Sequence, residues 1–323
     1  FKAFLYAAAL ENGIHPATLI NDAPVVVGNL TNEDMWRPEN DSGRFYGPTR
    51  VREALTFSRN LVSIRVLQQL GVSKLIEMAG RVGFDVSDMQ PNLTLALGTH
   101  AYTPLEIASG YTVIANGGFK VEPWLIDRIE DVDGNIIYQA DPAVACARCQ
   151  SEPRDDDFRE ASRIEDLLDD ADPDVREAPR IIDERVTYVL TSMLEDVIQR
   201  GTGRRAKVLE RNDLAGKTGT TNGPRDAWFS GYNKDLVTTT WVGFDDYSLK
   251  MLPPNLSSTM PRAKNFLRTL SSPLVVLVTS QLCLYLTTCV TMVYHYALKQ
   301  YRLSSTKSHN LRLHRSMLLT ALN

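Results

Sequence analysis

The sequence predicts an α+β fold in which an antiparallel sheet is flanked by helices. Helical patterns fill the first part and the middle of the chain, and two runs rich in aromatic and β-branched residues come after them. These runs, Ala227–Tyr232 and Leu236–Phe244, are joined by the polar turn Asn233-Lys234-Asp235. This pattern indicates a β-hairpin. Helices followed by a hairpin are typical of an α+β domain.

Composition places the chain among globular proteins and limits its partners. Of its 323 residues, 43% are hydrophobic and 23% are charged. The formal net charge of −4 argues against a nucleic-acid partner. A chain of this length can hold one large domain or two ordinary ones.

The first part of the chain predicts four helices. The stretch from Phe1 to Asn12 is rich in alanine, carries apolar residues on one face and stops at Gly13, a helix-ending residue. A polar, proline-containing loop follows. The other three helices are predicted at 49–57, 61–70 and 73–83, with Thr49 and Ser73 as caps and Ser58-Arg59-Asn60 as the break after the first of them.

The middle of the chain predicts two more helices and a hairpin. Thr103-Pro104-Leu105-Glu106 is a capping box with proline at the first helical position, and its helix ends near Asn116. Asp133-Gly134 is a hairpin turn signal between two short strands. Arg185 to Gln199 has the apolar spacing of an amphipathic helix that packs on a core.

An acidic stretch at about 150–180 is too poor in apolar residues to offset the entropy of ordering it, so we expect a peripheral insert. Cys146 and Cys149 form a C-x-x-C pair at its edge. No second cysteine pair or histidine cluster lies nearby, so we expect no metal there and no cofactor elsewhere. A local disulfide is favoured if the compartment is oxidising.

The stretch Leu214–Asn222 precedes the hairpin and contains Lys217-Thr218-Gly219. A lysine and small hydroxyl residues on a strand can bind a carboxylate and stabilise charge on a reacting carbonyl. A phosphate-binding loop, G-x-x-x-x-G-K-[ST], is an alternative, but its first glycine would fall at Arg211 and no helix pattern follows. An ordinary turn that contains a lysine is the third interpretation.

Three short motifs occur along the chain in an order that matches a known set of catalytic motifs. They are Lys2 at the start of a helix, Ser58-x-Asn60 between helices, and Lys217-Thr218-Gly219. Singly, each is weak, because a surface lysine or a helix cap explains it equally well. Their order resembles S-x-x-K, S-x-N and K-T-G, the signature set of penicillin-binding proteins and serine β-lactamases.

Neighbouring residues narrow this resemblance. Phe1-Lys2-Ala3-Phe4-Leu5-Tyr6, Arg200-Gly-Thr-Gly203 and Asp226-Ala-Trp-Phe-Ser-Gly231 resemble the transpeptidase domain of class A penicillin-binding proteins of the 1A type. The likeness covers residues 1–248. It implies a serine β-lactamase/D,D-transpeptidase-like fold and a D,D-transpeptidase that cross-links peptidoglycan stem peptides through an acyl-enzyme. It also implies acylation by β-lactam antibiotics.

The resemblance assigns a role to each motif residue. Lys2 would be the base that activates the serine, provided that burial and neighbouring cations lower its pKa. Ser58 would relay the proton to the leaving amine, and Asn60 would bind Lys2 and the substrate amide. The substrate's terminal carboxylate would be bound by a cation and by hydroxyl groups, and an oxyanion by a backbone N–H. The residues for these last roles are Lys217, Thr218, Gly219 and Thr220, with the N–H of Thr220 in the oxyanion hole.

The family pattern also names parts that this chain does not contain. In S-x-x-K the serine lies two residues before Phe1, so we expect the nucleophile, an N-terminal membrane anchor and a glycosyltransferase domain to lie outside the chain. The chain as printed is therefore expected to bind β-lactams without covalent labelling. The parent protein is expected at the periplasmic face of the bacterial cytoplasmic membrane.

The tail, residues 249–323, differs in composition from the rest. From residue 247 onward there are nine Lys and Arg residues but no Asp, Glu or Gly. Thr269–Leu298 carries no formal charge and is long enough to span a bilayer. We expect the tail to be a non-homologous end, either frameshifted or membrane-spanning, that forms no core with residues 1–248.

Two other functions stay open on the sequence. One is a catalytically inactive module that binds peptidoglycan peptides or β-lactams, and the other is a serine β-lactamase. The second is disfavoured because no loop with a glutamate to activate a deacylating water is evident. If the motif assignment holds, Lys2 must lie within hydrogen-bond reach of Ser58 or Asn60, and Lys217 within about 15 Å of Ser58, because catalytic groups meet around one reacting atom.

Overall fold

One buried helix, α1 (Lys2–Glu11), forms the centre of the helical layer. Residues 2–9 of this helix are all buried. Four alanines among them allow neighbouring helices to approach closely, while Phe4 and Tyr6 fill the space between. The helix packs against α3 (Asn60–Leu70), α4 (Val72–Val82) and α6 (Glu184–Gln199).

The computed structural model describes residues 1–28, 35–145, 176–221, 225–244, 246, 248–249, 275–280 and 290–295. The helical part also contains two further α-helices and two 3₁₀ turns, and two small two-stranded antiparallel sheets lie outside the main sheet. These elements are α2 (Val51–Thr56), α5 (Pro104–Ala115), the 3₁₀ turns Leu93–Leu97 and Arg204–Leu209, β1 (Leu19–Asp22), β2 (Gly47–Arg50), β3 (Arg128–Glu130) and β4 (Ile136–Gln139).

The main sheet begins with three antiparallel strands. They are β5 (Ala215–Thr220), β6 (Asp226–Tyr232) and β7 (Leu236–Gly243), in this spatial order. The predicted hairpin is confirmed, since β6 and β7 pair across the turn after Tyr232. Helix α5 packs on β6 and β7, and α6 packs on β5. A sheet covered by helices confirms the α+β prediction.

Two segments of the tail continue this sheet. The backbone of β8 (Val275–Ser280) pairs parallel to β7, and β9 (Val290–His295) pairs antiparallel to β8. The sheet is therefore mixed, whereas we predicted an antiparallel one and a tail apart from the domain. The run Val275-Val276-Leu277-Val278-Thr279 is rich in β-branched residues, which favour a strand over the membrane helix considered for this stretch.

Most of the tail and of the acidic insert lies outside the described residues, as do Cys146 and Cys149. Within the described residues, no helix is both long and apolar enough to cross a membrane. The C-terminal end of the insert, as predicted to residue 180, is part of the domain. Ala178 is fully buried. The backbone of Glu177 forms an isolated β-bridge with Val144, and that of Arg180 forms one with Phe119.

Helix starts were predicted with mixed success. The capping box is confirmed, because Thr103 accepts from the Glu106 backbone and the Glu106 carboxylate accepts from the Thr103 backbone. The caps predicted at Thr49 and Ser73 are wrong, since α2 begins after Arg50 and α4 after Gly71. At Gly71 the backbone has φ +91°, so the sharp junction of α3 and α4 uses a glycine where we expected a hydroxyl cap.

Gly110 and Gly80 provide a matched test of core packing. A Cβ at Gly110 would lie 2.7 Å from the Phe84 ring and 2.8 Å from the Phe4 ring, whereas one at Gly80 would meet Val86 at an ordinary 3.8 Å. Gly110→Ala should lower the free energy of unfolding by about 1–3 kcal/mol through overpacking. Gly80→Ala should raise it by about 0.5–1 kcal/mol through helix propensity. Urea unfolding measures both, and equal effects of the two substitutions would contradict this description of the core.

Candidate active site

Lys2 is held by three acceptors at the N-terminal end of α1. Its Nζ donates to Asn60 Oδ1 at 2.7 Å, to the Ser58 carbonyl at 3.0 Å and to Ser58 Oγ at 3.3 Å. The side chain is only 8% exposed. An ammonium group has three hydrogens, so this set of acceptors satisfies it completely.

Lys217 reaches the same hydroxyl from the sheet. Its Nζ donates to Ser58 Oγ at 2.9 Å and to the Thr218 carbonyl at 2.8 Å, and the side chain is 5% exposed. Ser58 Oγ therefore lies between two lysine ammonium groups. The expectation that the three motifs converge is confirmed, since both lysines are in direct contact with Ser58.

Ser58 occupies a backbone position that normally holds glycine. Helix α2 ends in a Schellman motif, in which Arg59 N donates to the Ala54 carbonyl at 2.8 Å and Ser58 N to the Leu55 carbonyl at 3.1 Å. The motif requires a left-handed residue, and Ser58 has φ +55°. A residue with a side chain costs about 1–2 kcal/mol in this conformation. This left-handed backbone conformation places the Ser58 hydroxyl between the two lysines.

Burial lowers the pKa of both lysines. The pKa of Lys217 falls to about 7 because its ammonium is removed from water. The pKa of Lys2 is lowered well below its usual value, first by burial and then by the positive charge of Lys217. Both shifts favour the neutral amine relative to its ordinary balance with the ammonium form.

The Arg200–Gly203 segment, which contributed to the resemblance, packs against both other motifs. Thr202 Oγ1 lies 2.6 Å from Thr218 Oγ1, and Thr202 N donates to the Thr56 carbonyl at 3.3 Å. A Cβ at Gly201 would be only 2.2 Å from the Thr56 oxygen. The glycine therefore permits a close approach that joins the strand of Lys217 to the turn of Ser58.

The substrate-binding candidates line the open end of β5. Gly219 is paired with Trp228 and Thr220 with Ala227 of β6. Thr218 and Gly219 are partly exposed and Thr220 is exposed, whereas Lys217 is buried. Exposure thus increases along the strand from Lys217 to Thr220, so a ligand beside Lys217 could reach the polar groups of the residues that follow it.

Two buried side chains near Ser58 were not predicted. Asn40 Oδ1 accepts from the backbone N–H of Asn60 at 2.9 Å, and Asn40 Nδ2 donates to the Asp22 carboxylate. Both residues lie in the loop-rich stretch before Pro48, where no periodic pattern reveals burial. Among the described residues, no group of three or more His, Cys, Asp or Glu side chains could hold a metal ion.

Known proteins are similar to this chain in sequence. The family described as the penicillin binding protein transpeptidase domain matches residues 1–248. Penicillin-binding protein 1A of Pseudomonas aeruginosa is 48% identical over 261 residues, which cover 76% of this chain and 32% of that protein. Penicillin-binding protein 1A of Vibrio cholerae is 40% identical over 272 residues, covering 80% of this chain and 31% of that protein.

Solved structures show the same fold. The crystal structure of penicillin-binding protein 1A from Haemophilus influenzae aligns with a TM-score of 0.70 and 30% identity, over 93% of this chain and 48% of that one. The PonA1 protein from Mycobacterium tuberculosis, in complex with penicillin V, shares the fold with a TM-score of 0.52 at 21% identity, over 72% of this chain and 56% of that one.

These matches define the class of the protein: a transpeptidase-type domain with a helical layer on a sheet. The chain belongs to the penicillin-binding protein transpeptidase domain family. It spans about a third of the length of the curated relatives it matches.

Two substitutions of Ser58 separate the strain of its backbone from the loss of its hydroxyl. Ser58→Ala and Ser58→Gly both remove the group between the lysines, but only glycine relaxes the left-handed conformation. We expect the glycine variant to be more stable than the alanine variant by about 1 kcal/mol, measured by thermal or urea unfolding. Equal stabilities would show that φ at residue 58 is not strained.

Proposed function

We propose that the full-length protein is a peptidoglycan D,D-transpeptidase whose acyl-enzyme forms on a serine three residues before Lys2. The observation that carries this proposal is the convergence of Lys2 and Lys217 on Ser58 Oγ, at 3.3 and 2.9 Å. A surface lysine or a simple helix cap does not require two buried cations around one hydroxyl. A hydroxyl beside a lysine of lowered pKa is the kind of group that can move the two protons of an acyl transfer.

The base and the nucleophile would be neighbours on one helix. Residues three apart on an α-helix lie on the same face, about 5–6 Å apart at Cβ. The motif serine would therefore lie beside Lys2, whose pKa is lowered by burial and by the charge of Lys217, a shift toward the neutral amine that a base needs. The amine takes the serine proton while Oγ bonds to the carbonyl carbon of the stem peptide. The carbonyl electron pair moves to oxygen, giving a tetrahedral intermediate.

Ser58 and Asn60 would serve the second half of acylation. As the intermediate collapses, the carbon–nitrogen bond breaks and the leaving amine needs a proton. Lys2 now carries that proton and contacts Ser58 Oγ, so the Ser58 hydroxyl can pass one proton to the amine and regain one from Lys2. Asn60 orients Lys2 through its Oδ1 and would bind the substrate amide.

The strand that contains Lys217 would bind the substrate's charged end and the oxyanion. The Lys217 ammonium supplies positive charge for the terminal carboxylate, and Thr218 and Thr220 hydroxyls hydrogen-bond to it. Gly219 keeps the strand open to the peptide backbone. The N–H of Thr220 would donate to the oxyanion, a stabilisation worth about 3–4 kcal/mol for one donor in comparable sites.

Transfer is completed when the amine of a second stem peptide attacks the acyl ester and the serine leaves with its proton restored. A β-lactam enters the same route, because its ring amide is attacked as the peptide bond is. Relatives named as penicillin-binding proteins support this substrate class. The proposal includes a periplasm-facing location in a bacterium and a membrane anchor outside this chain.

Lys2→Met in the full-length protein tests the role of the base. Methionine fills the buried space without an amine, so the fold should persist while the rate of penicillin acylation falls by about 10²–10⁴-fold. Mass spectrometry of the penicilloyl adduct with time measures this rate. Lys74→Met, at an exposed lysine on α4, is the matched control and should acylate at the wild-type rate. An unlabelled wild-type protein, or an adduct mapped to Ser58, would refute the assignment of roles.

The pH dependence of acylation tests Lys217. Its ammonium becomes neutral as the pH rises through its pKa of about 7, so attraction for the penicillin carboxylate is lost there. Let K be the dissociation constant of the noncovalent penicillin complex and k2 the rate constant of acylation within it. The second-order rate constant k2/K should therefore decrease as the pH rises past about 7, which gives the pH profile an alkaline limb. The limb should move to higher pH in k2, because bound carboxylate stabilises the ammonium.

Lys217→Arg is the control for this limb. A guanidinium group stays charged throughout the range, so the alkaline limb should disappear from k2/K even if the rate itself is lower. Persistence of the same limb in the arginine variant would show that another group titrates.

A further inference from the structure

We propose that Asn40 and Asp22 are positioning residues for acyl transfer, which together set the orientation of Asn60 and of the Ser58 turn. This inference rests on the proposed function. Asn40 is 5% exposed and Asp22 is fully buried. Their hydrogen bonds in the described structure lead to the start of α3 and not to either lysine, so they would act through other residues.

Helix α3 begins without a cap of its own. The N-cap residue Arg59 makes no side-chain cap hydrogen bond, and its guanidinium lies over the Tyr46 ring at 3.4 Å. The Ser58 hydroxyl is occupied by the lysines. Asn40 Oδ1 takes the place of the missing cap, accepting from the first two backbone N–H groups of α3 at 2.9 and 3.4 Å. The turn between α2 and α3 is thus held by a distant loop.

Asp22 determines which way the Asn40 amide points. Asn40 Nδ2 donates to the two Asp22 carboxylate oxygens at 2.9 and 3.0 Å and to the Arg44 carbonyl at 2.8 Å. Carboxylate and carbonyl oxygens only accept, so the amide nitrogen must face them and Oδ1 must face α3. Asp22 itself is fixed by its pairing with Gly47 between β1 and β2.

The same loop orients the side chain of Asn60. Asn60 Nδ2 donates to the Glu39 carbonyl at 2.9 Å, which leaves Oδ1 facing the Lys2 ammonium at 2.7 Å. A flipped amide would point its NH₂ group at Lys2 and remove one of the three acceptors. Residues 39 and 40 therefore fix both the backbone and the side chain of Asn60.

This arrangement matters for rate because Lys2 must be aligned with both Ser58 and the attacking serine. A displacement of about 1 Å in such a constellation can cost about 10²-fold in rate. Binding of the carboxylate depends on Lys217 and β5, and Lys217 keeps its second acceptor, the Thr218 carbonyl, whatever happens to the Ser58 turn. We therefore expect loss of Asn40 to lower k2 for penicillin acylation much more than it weakens noncovalent binding, K.

The test uses acylation kinetics of four variants of the full-length protein, with thermal unfolding measured in parallel. Asn40→Ala removes the cap, and Asn40→Asp places a second carboxylate against Asp22. The double variant Asp22→Asn/Asn40→Asp exchanges the two groups, so an amide again faces a carboxylate and an oxygen again faces α3, while the Arg44 carbonyl loses its donor. Asp183→Ala is the matched control, since it removes a cap from α6 whose partner is Arg185.

We expect both single Asn40 variants to lose at least about tenfold in k2 with K changed less than about threefold, and the exchange variant to recover part of the lost k2. Asp183→Ala should lower the melting temperature and leave k2 unchanged. Wild-type k2 in the Asn40 variants overturns the inference, as does an exchange variant no faster than Asn40→Asp. The exchange variant decides the question even if Asn40→Ala does not fold. A wild-type protein that is never acylated instead refutes the proposed function.

Discussion

The structure depends on keeping two lysine ammonium groups inside the protein on either side of one hydroxyl. Removing a cation from water costs several kcal/mol unless polar groups replace the water. Here the replacements are neutral: two backbone carbonyls, an amide oxygen and the Ser58 hydroxyl. Among the described residues, no carboxylate forms an ion pair with either lysine. A carboxylate would have held the ammonium charge in place. Neutral acceptors instead allow the pKa of each lysine to fall, which makes an amine available as a base.

Each participant in this site comes from a different kind of element. Lys2 stands on a helix that is buried on all sides, and Lys217 stands on a strand covered by α6. Such elements place a side chain with little freedom. Ser58 is different, because it lies in a strained turn that the surroundings must enforce. The enforcement comes from two directions: the Gly201 backbone against Thr56, and the Asn40 cap on α3.

How much of this was predictable depends on whether the signal is local. Features that are recognised from neighbouring residues could be predicted. They are the capping box at Thr103, the β6–β7 hairpin and each of the three motifs. The end of α3 at Leu70 could be predicted too, but the start of α4 directly after Gly71 could not, because a hydroxyl at Ser73 has the same local pattern as a cap. Asn40 and Asp22 could not either, since their partners are 20 or 18 residues away. The tail strands depend on pairing with β7, and the uncharged run was equally compatible with a membrane helix.

The two proton transfers of the proposed reaction also differ in this way: one joins residues close in sequence, and the other joins residues far apart. The first proton transfer would link a serine and a lysine three residues apart, so helical spacing brings the two side chains to the same face. The second transfer links Lys2 to Ser58, which is 56 residues away, so long-range packing must set it. A change in the loop at Asn40 disturbs Asn60 and the Ser58 turn, which set this long-range contact, while the spacing of the serine and Lys2 along the chain stays the same. Protonation of the leaving group is therefore the step whose geometry the rest of the fold has to maintain.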